Sequence, residues 1–229
     1  MPVVLRRRAA GLRERMDDPA CDLEKLRATY ARFGTVNRLF AGWRVLYRRF
    51  LKPRMEPGRA YTLLDVGFGG GDIPRALLRW AERDGLRLRV TAIDPDPRAA
   101  AFARSLPPLK GLRFEQLGTG RLVEQGTTFD FVVSNHLLHH LTDEELPTFL
   151  GECAELGAAV LHNDIARADL AYVGFAALTG PFFRGSFITP DGLTSVRRSY
   201  TPAELRAAVP DGWRVSSPYP FRLLLSCGL

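Results

Sequence analysis

The stretch Leu63-Leu64-Asp65-Val66-Gly67-Phe68-Gly69-Gly70-Gly71-Asp72 decides how the rest of the chain is interpreted. A short apolar run leads into a turn with glycine at alternate positions, and a helical pattern follows. Glycine adopts left-handed backbone angles without strain and lets a ligand approach the main chain closely. The stretch therefore predicts a strand, a turn and a helix, and the turn is either a ligand site or only a tight connection.

Acidic residues beside this turn distinguish between classes of nucleotide site. The dinucleotide-binding fingerprint requires a third glycine three residues after the second, and Asp72 occupies that place. A nicotinamide dinucleotide is therefore not predicted. Asp94 ends the next apolar run, where a carboxylate can accept both ribose hydroxyls of a nucleoside above the turn. Asp94 could also cap the helix that begins near Pro95, and the two roles are compatible.

From Tyr61 onward, short apolar runs alternate with helical stretches, which indicates βαβ units and a parallel sheet. The predicted strands are residues 62–66, 87–93, 112–116, 129–134, 158–162, 213–217 and 221–226. The predicted helices between them are residues 73–84, 97–105 and 143–156. Capping boxes at residues 142–145 and 201–204 mark two helix starts. We predict an α/β fold with a mainly parallel seven-stranded sheet flanked by helices.

Two regions lie outside this alternation. In residues 1–58, apolar side chains recur at helical spacing, with a break expected at Gly34, and we interpret this region as an N-terminal helical cap on a domain of residues 59–229. Residues 169–198 are rich in aromatic side chains and too long and apolar for a simple connection. They predict a helical lid inserted into the domain.

Composition limits the classes of function. The net charge of +7 comes from scattered arginines, whereas a nucleic-acid surface normally clusters them. Cys21, Cys153 and Cys227 form no CxxC pair, which argues against a disulfide framework or a zinc site. No apolar run reaches the ~18 residues of a membrane span, and no apolar signal region follows the N-terminal arginines. We expect a cytoplasmic protein, and the oligomeric state is left open.

Asp65-Val66-Gly67-Phe68-Gly69-Gly70-Gly71 with Asp94 resembles motif I of class I S-adenosylmethionine-dependent methyltransferases and the acid that follows it. The resemblance implies a Rossmann-like methyltransferase fold and S-adenosylmethionine as the cofactor. The cofactor contacts it implies are Asp65, Gly67, Phe68, Gly69, Gly71, Asp94, Pro95, Gln116, Ser134 and Asn135. The family often has an Asp that binds adenine after the third strand. This chain instead offers Gln116 and Leu117 there.

The segment Ser134-Asn135-His136-Leu137-Leu138-His139-His140-Leu141 follows the fourth predicted strand. Ligands bind at the carboxyl ends of strands in open α/β sheets, so this segment should lie beside the transferred methyl group. It resembles motif IV of small-molecule methyltransferases and lacks the Asn-Pro-Pro-Tyr type sequence of amino-DNA methyltransferases.

Histidine is the side chain best suited to act as a general base near neutral pH. The catalytic candidates are His140 first, His139 second and His162 third, the last oriented by Asp164. A purely structural role for each of them stays open. No Glu follows in the zincin pattern, so no metal ligand is assigned.

Two further resemblances concern the substrate. Tyr30, Asn37, Gly42, Trp43 and Tyr47 are spaced as in quinone-biosynthesis methyltransferases. Residues 162–165, the aromatic insertion and residues 191–200 together are similar to methyltransferases that act on polyketide-derived phenols or pyrones. They imply O-methylation of a small hydrophobic phenol or enol, in secondary metabolism. The alternatives are C-methylation of a quinol-like ring, RNA methylation, and cofactor binding without catalysis.

Overall fold

The computed structural model describes residues 5–229. The first four residues of the predicted N-terminal cap lie outside this range. The strands are β1 (Ala60–Val66), β2 (Arg87–Ile93), β3 (Leu112–Glu115), β4 (Phe129–Asn135), β5 (Gly157–Ile165), β6 (Arg214–Ser216) and β7 (Arg222–Cys227). They form one sheet in the order β3-β2-β1-β4-β5-β7-β6. Strands β1 to β5 are parallel, and β7 runs antiparallel to both β5 and β6. The predicted fold class is confirmed.

Helices cover both faces of this sheet. They are α1 (Leu23–Phe40), α2 (Trp43–Leu46), α3 (Asp72–Arg83), α4 (Pro97–Ser105), α5 (Thr119–Glu124), α6 (Glu145–Leu156), α7 (Asp169–Thr179), α8 (Ile188–Arg198) and α9 (Pro202–Ala208). Both predicted capping boxes form, because Thr142 and Glu145 exchange side-chain to backbone hydrogen bonds, as do Thr201 and Glu204. The short helix α5 was not predicted.

The break expected at Gly34 is wrong. Helix α1 runs through Gly34, where a Cβ would lie 3.5 Å from Asp72 Cβ, and the chain turns instead at Gly42. Gly42 has a φ of 66°, and a Cβ there would lie 2.9 Å from the Tyr219 ring. A glycine inside a helix costs only about 1 kcal/mol relative to alanine. Tertiary packing can override that cost, so Gly34 does not end the helix.

The N-terminal helices share a core with the sheet. Trp43, Tyr47 and Leu51 are buried in the same cluster as Leu63 of β1 and Leu77 of α3. The opposite face of the sheet packs mainly against α6 and α9 through a second cluster. Within residues 5–229, no helix has both the length and the apolar character that a membrane crossing requires.

Candidate active site

A cavity of about 530 Å³ opens beyond the carboxyl ends of β1, β2 and β4. Its walls come from the glycine turn after β1, from α1, from the loop after β4, from the α7–α8 insertion and from the segment that precedes α1. Ligand sites of open α/β sheets lie at this edge. The fold therefore brings the glycine turn and the histidine loop to one cavity, as the sequence predicts.

The glycine turn needs its glycines for conformation and for space. The turn contains Gly67, Gly69 and Gly71, whose φ angles are 75°, 48° and 69°. Residues other than glycine rarely adopt such positive φ angles. A Cβ on Gly67 would lie 2.7 Å from Leu137, and one on Gly71 would lie 2.9 Å from the Phe114 ring. Gly67, Phe68 and Gly69 line the cavity. Gly71 is not among the lining residues, so its expected cofactor contact is replaced by a conformational role at the start of α3.

Three carboxyl groups form what we call the acidic end of the cavity: the buried Asp65 and the half-buried Asp72 and Asp94. Asp65 is 2% exposed, and its Oδ2 has no hydrogen-bond partner within residues 5–229. Burial, together with the charges of Asp72 and Asp94, raises the pKa of Asp65 well above its usual range. Burial also raises the pKa of Asp72 to about 6, against the hydrogen bond that Asn37 donates to it. A cationic ligand would relieve this repulsion, whereas a pyrophosphate would add to it.

Asp94 accepts hydrogen bonds from the turn after β1 and from the turn after β2. Its Oδ2 accepts from the backbone N–H of Gly69 at 2.9 Å, and its Oδ1 accepts from that of Asp96 at 2.9 Å. Asp96, not Asp94, caps α4 by accepting from the backbone of Arg98. Each Asp94 oxygen keeps a free lone pair, so the carboxylate can accept ribose hydroxyls from the position the sequence predicts.

The remaining predicted cofactor contacts divide into two groups. Pro95 and Asn135 line the cavity, although the Asn135 amide is already bonded to Trp43, Asn163 and Asn37. Gln116 and Ser134 do not line it, since Gln116 is exposed beyond β3 and Ser134 is fully buried inside β4. The geometry therefore does not support cofactor contacts for Gln116 and Ser134. Leu117, the other adenine candidate, packs against the second core cluster.

His139 is held between two carboxylates in the cavity wall. Its Nδ1 lies 2.8 Å from Asp164 Oδ1, and its Nε2 lies 3.1 Å from Glu14 Oε1. An ionised carboxylate only accepts, so both ring nitrogens donate and the ring is an imidazolium. Burial lowers the pKa of His139, but the charges and hydrogen bonds of Asp164 and Glu14 outweigh this and raise it to about 9. A ring that is already protonated cannot act as a base, so the geometry favours a positioning role for His139.

His140 lines the cavity beside His139, and 31% of its side chain is exposed. Its Nδ1 lies 3.4 Å from Asp17 Oδ2, and its Nε2 lies 3.7 Å from Glu14 Oε1. These contacts are long for hydrogen bonds, so the His140 ring is held less tightly than that of His139. If His140 took a proton, the two nearby carboxylates would stabilise the imidazolium. Of the predicted candidates, His140 is the one whose surroundings suit a general base.

The third candidate, His162, lies outside the cavity lining. Strand β5 continues to Ile165, beyond the predicted end at residue 162, so His162 is fully buried within the sheet. Its Nδ1 lies 2.8 Å from Ser134 Oγ, and its ring packs against those of Phe149 and Trp213. Asp164 bonds to His139 and not to His162. We therefore correct the assignment of His162 from reserve base to buried structural residue.

Glu14 is a site residue that the sequence did not indicate. It precedes a short 3₁₀ turn (Arg15–Asp17), is buried, and accepts from Ser195 Oγ of α8 at 2.7 Å as well as from His139. The adjacent backbone N–H groups of Arg15 and Met16 donate to Asp191 of α8. No periodicity or motif marks this segment, so its position depends on contacts with residues more than a hundred positions away. We call Glu14, His136, His139, His140 and Arg222 the histidine end of the cavity.

Glu14, His139 and His140 also have potential metal-ligand atoms within 4.8 Å of one another. The sequence assigned no metal ligands, because no Glu follows the histidines in the zincin pattern, and Glu14 is distant from them along the chain. In this structure the carboxylate of Glu14 is already engaged by His139 and Ser195. Imidazole and carboxylate ligands would suit a divalent transition metal, and metal removal is therefore a control in the activity assay below.

The predicted lid contributes part of the wall. Phe175 of α7 and Phe187, Ile188 and Val196 at α8 line the cavity. Phe182 does not line it and is 76% exposed. The aromatic residues of the insertion therefore differ in position: Phe175 and Phe187 line the cavity, and Phe182 does not.

Comparison with known proteins agrees with this architecture. Residues 63–158 match the family described as a methyltransferase domain. The matched residues, the methyltransferase-domain region of the chain, hold the glycine turn, Asp94, His139 and His140. The resemblance inferred from motif I is confirmed.

Two curated relatives and two solved structures illustrate the similarity. A ubiquinone biosynthesis O-methyltransferase of Methylobacterium nodulans is 30% identical over 160 residues, covering 64% of this chain and 61% of that protein. One of Paramagnetospirillum magneticum is 31% identical over 162 residues, covering 66% of this chain and 60% of that protein. The chain thus spans about three fifths of the length of these relatives.

The plantazolicin methyltransferase BpumL, solved with a desmethylPZN analog and SAH, has a TM-score of 0.57 at 12% identity, with 87% of this chain and 86% of that one covered. Magnesium protoporphyrin IX methyltransferase from Synechocystis, with bound SAH, has a TM-score of 0.51 at 16% identity, with coverages of 86% and 82%. At these identities the structures show that the methyltransferase domain shares their fold.

Proposed function

We propose that this chain is an S-adenosylmethionine-dependent methyltransferase that methylates an oxygen of a small hydrophobic phenol or enol. The observation that carries the proposal is the acidic end, where Asp65 has an unpaired buried oxygen beside Asp72 and Asp94. Names of the relatives support oxygen as the acceptor atom, since they are O-methyltransferases of ubiquinone biosynthesis.

The residues of the acidic end fit this cofactor. Asp65 would accept from the ammonium group of the methionine part, Asp94 would accept from the ribose hydroxyls, and the glycine turn leaves space for the chain between them. Bound S-adenosylmethionine would supply a methyl group activated by its sulfonium. Because the ligand is cationic near these carboxylates, binding would stabilise their ionised forms.

The histidine end supplies the acid–base chemistry. A phenol with a pKa near 10 is mostly protonated at neutral pH, so the acceptor hydroxyl must lose a proton before or during methyl transfer. His140 takes this proton on a ring nitrogen, and the carboxylates of Asp17 and Glu14 stabilise the charge that it gains. Proton removal by a positioned base contributes roughly 10²–10⁴-fold to a rate. Alignment of the acceptor and exclusion of water supply the rest.

The acceptor wall is largely apolar, as a hydrophobic substrate requires. Phe40, Phe175, Leu178 and Val196 line the cavity on the side of α1, α7 and α8. A roof of this kind would hold an aromatic ring while leaving its oxygen near the histidines. The α7–α8 insertion would thus act as the lid predicted from its composition.

Two measurements test the proposed function. In calorimetry, S-adenosylhomocysteine should bind and NADH should not, and the reverse result would refute the cofactor assignment. Incubation with radiolabelled S-adenosylmethionine and a panel of phenols, hydroxypyrones and quinols should then label one class. Product NMR places the methyl group on oxygen or on carbon, and a carbon-bound methyl group would favour C-methylation of a quinol-like ring instead.

A further inference from the structure

Arg222 brings an unpaired donor to the wall of the cavity. It begins β7, is 3% exposed, and lines the cavity. Its Nε donates to Asn163 Oδ1 at 3.2 Å, and its Nη1 donates to His136 Nε2 at 3.1 Å. Its Nη2 has no hydrogen-bond partner within the part of the chain that the structure describes. A buried donor without a partner is costly, so Nη2 is a group that a ligand can satisfy.

The guanidinium retains its charge in this position. Burial lowers the pKa of Arg222 to about 10, with the charge of Asp164 opposing the shift, so the group is protonated at neutral pH. Both Asp164 oxygens already accept from His139, and Oδ1 also accepts from the backbone of Ile165. The positive charge of Arg222 therefore lies at the cavity wall without a carboxylate hydrogen-bonded to it, which favours a ligand that carries negative charge.

His136 offers a second donor beside Arg222. Arginine cannot accept a hydrogen bond, so Nε2 of His136 is the acceptor and Nδ1 carries the ring proton. Burial and the charge of Arg222 lower the pKa of His136 well below its usual range, which keeps the ring neutral. His136 has a φ of 57°, and its backbone N–H donates to the carbonyl of Asn163. A left-handed non-glycine residue held in this way is found most often at functional sites.

We propose that Arg222 Nη2 and His136 Nδ1 form an oxyanion-binding pair that selects acceptors bearing a negatively charged oxygen. The class of acceptor that combines such a charge with a nucleophilic oxygen is the acidic enol, whose ionised form shares charge between conjugated oxygens. The inference rests on the proposed function and narrows its substrate class from phenols and enols in general to compounds that bind as anions. Asn163 acts as a positioning residue, because it contacts both members of the pair.

The test compares two probes that share one pyrone ring and differ in charge. The probes are 4-hydroxy-6-methyl-2-pyrone, used above its enol pKa, and its neutral ether 4-methoxy-6-methyl-2-pyrone. Calorimetry on the protein saturated with S-adenosylhomocysteine gives the Kd of each probe for the wild type, Arg222→Met and Arg222→Lys. Arg167→Met is the matched control, because Arg167 is also buried but bonds to Leu5, Ser199 and Glu204 outside the cavity lining.

The wild type should bind the ionised probe more tightly than the neutral one. Loss of a hydrogen bond to a charged group corresponds to roughly 10–100-fold in affinity. Arg222→Met should therefore weaken binding of the ionised probe by about that factor, with the neutral probe and S-adenosylhomocysteine unaffected. Arg167→Met should leave the preference intact. Equal losses for both probes, or no preference in the wild type, would overturn the inference.

Failure of the proposed function is distinguishable from failure of the oxyanion-binding pair. If the proposed function is wrong, the wild type should not bind S-adenosylhomocysteine at all. If Arg222→Met does not fold, as judged by lost S-adenosylhomocysteine binding, Arg222→Lys decides. That variant keeps the charge and should retain the preference for the ionised probe with reduced affinity. If Arg222→Lys lost equal affinity for both probes, the inference of an oxyanion-binding pair would be overturned.

Discussion

The two ends of the cavity differ in how they are assembled. The acidic end lies within one βαβ unit, since Asp65 lies in β1, Asp72 begins α3 and Asp94 follows β2 directly. The histidine end joins Glu14 before α1, the loop after β4, and Arg222 of β7. A site built from neighbouring turns depends on local backbone conformation, whereas one built from distant segments depends on the packing that brings them together. Substitutions should therefore affect the two ends in different ways.

The largest effect should come from the backbone of the acidic end. Gly69→Val should abolish S-adenosylhomocysteine binding, because φ is +48° and a Cβ would lie 3.4 Å from Phe33 in the cavity wall. Calorimetry measures this directly. Gly85→Val is the matched control, because Gly85 has a φ of +72° with open space around it. The control should lose about 1–3 kcal/mol of stability through backbone strain and bind normally. Normal binding by Gly69→Val would show that the turn does not hold the cofactor.

The next effect concerns the histidine end. With a phenol acceptor that is still protonated at the assay pH, His140→Ala should lower kcat by roughly 10²–10⁴-fold with little change in cofactor affinity, whereas with an acceptor that binds as an anion kcat should change little. The loss should shrink at high pH, where the acceptor ionises without a base. His162→Ala should lower stability but leave kcat nearly unchanged, because His162 is buried outside the cavity lining. A loss that is uniform across pH would assign His140 a positioning role.

A metal control belongs with this measurement. Dialysis of the wild type against a chelator should leave the rate unchanged if His140 acts as a base. A rate lost on chelation and restored by a divalent metal would instead make Glu14, His139 and His140 metal ligands.

Breaking the link between the N-terminal segment and the methyltransferase domain should cost stability. Glu14→Gln leaves His139 without its second carboxylate, and breaking a buried ion pair costs about 3–5 kcal/mol. Because the folded pKa of His139 is raised to about 9 from an ordinary 6.5, its stabilising contribution is complete below pH 6.5 and is lost as pH rises through 9. The destabilisation measured by urea unfolding should therefore be larger at pH 6.5 than at pH 9.

The exposed Glu155→Gln provides the comparison for Glu14→Gln and should change stability by less than about 0.5 kcal/mol. An equal destabilisation by Glu14→Gln at both pH values would mean that Glu14 does not stabilise the charged His139.

A smaller effect is expected at Asp94. Asp94→Ala should weaken S-adenosylhomocysteine binding by about 1–3 kcal/mol, the cost of leaving hydrogen-bonding groups without a charged partner. The Gly69 backbone N–H also loses its acceptor, so the turn itself should become less ordered. Calorimetry gives the change, with the exposed Asp211→Ala as the control. Unchanged affinity in Asp94→Ala would exclude the ribose contact.

The last comparison is between two aromatic residues of the insertion, and the smallest effect of all is expected at Phe182. Phe187 is 6% exposed and lines the cavity, whereas Phe182 is 76% exposed and does not. Phe187→Ala should raise the acceptor KM and also lower stability by about 3–5 kcal/mol. Phe182→Ala should leave both within error, since substitutions at exposed positions rarely exceed 0.5 kcal/mol. A raised acceptor KM in Phe182→Ala would show that α7 and α8 close further over the substrate.

Local patterns predicted most of the sheet and its helices. Strand β2 and helix α4 have the predicted bounds, because alternating apolar runs, the Asp-Pro start and the helical spacing agree there. Strand β5 is longer than predicted, since Asn163 and Asp164 are polar but buried by partners from other elements. That difference misplaced His162. Helix α5 was missed because six residues give too short a periodic pattern to detect.

The sequence by itself determined the fold class and the acidic end, because a glycine turn with its acid acts through backbone conformation within neighbouring residues. Only the tertiary structure decided which histidine faces the cavity, which carboxylate orients it, and that Glu14 and Arg222 belong to the same site. The contact of Glu14 with His139 joins residues 125 positions apart, and that of Arg222 with Asn163 joins residues 59 positions apart. No local spacing encodes such contacts, since they exist only once the sheet order and the path of the N-terminal segment are fixed by packing.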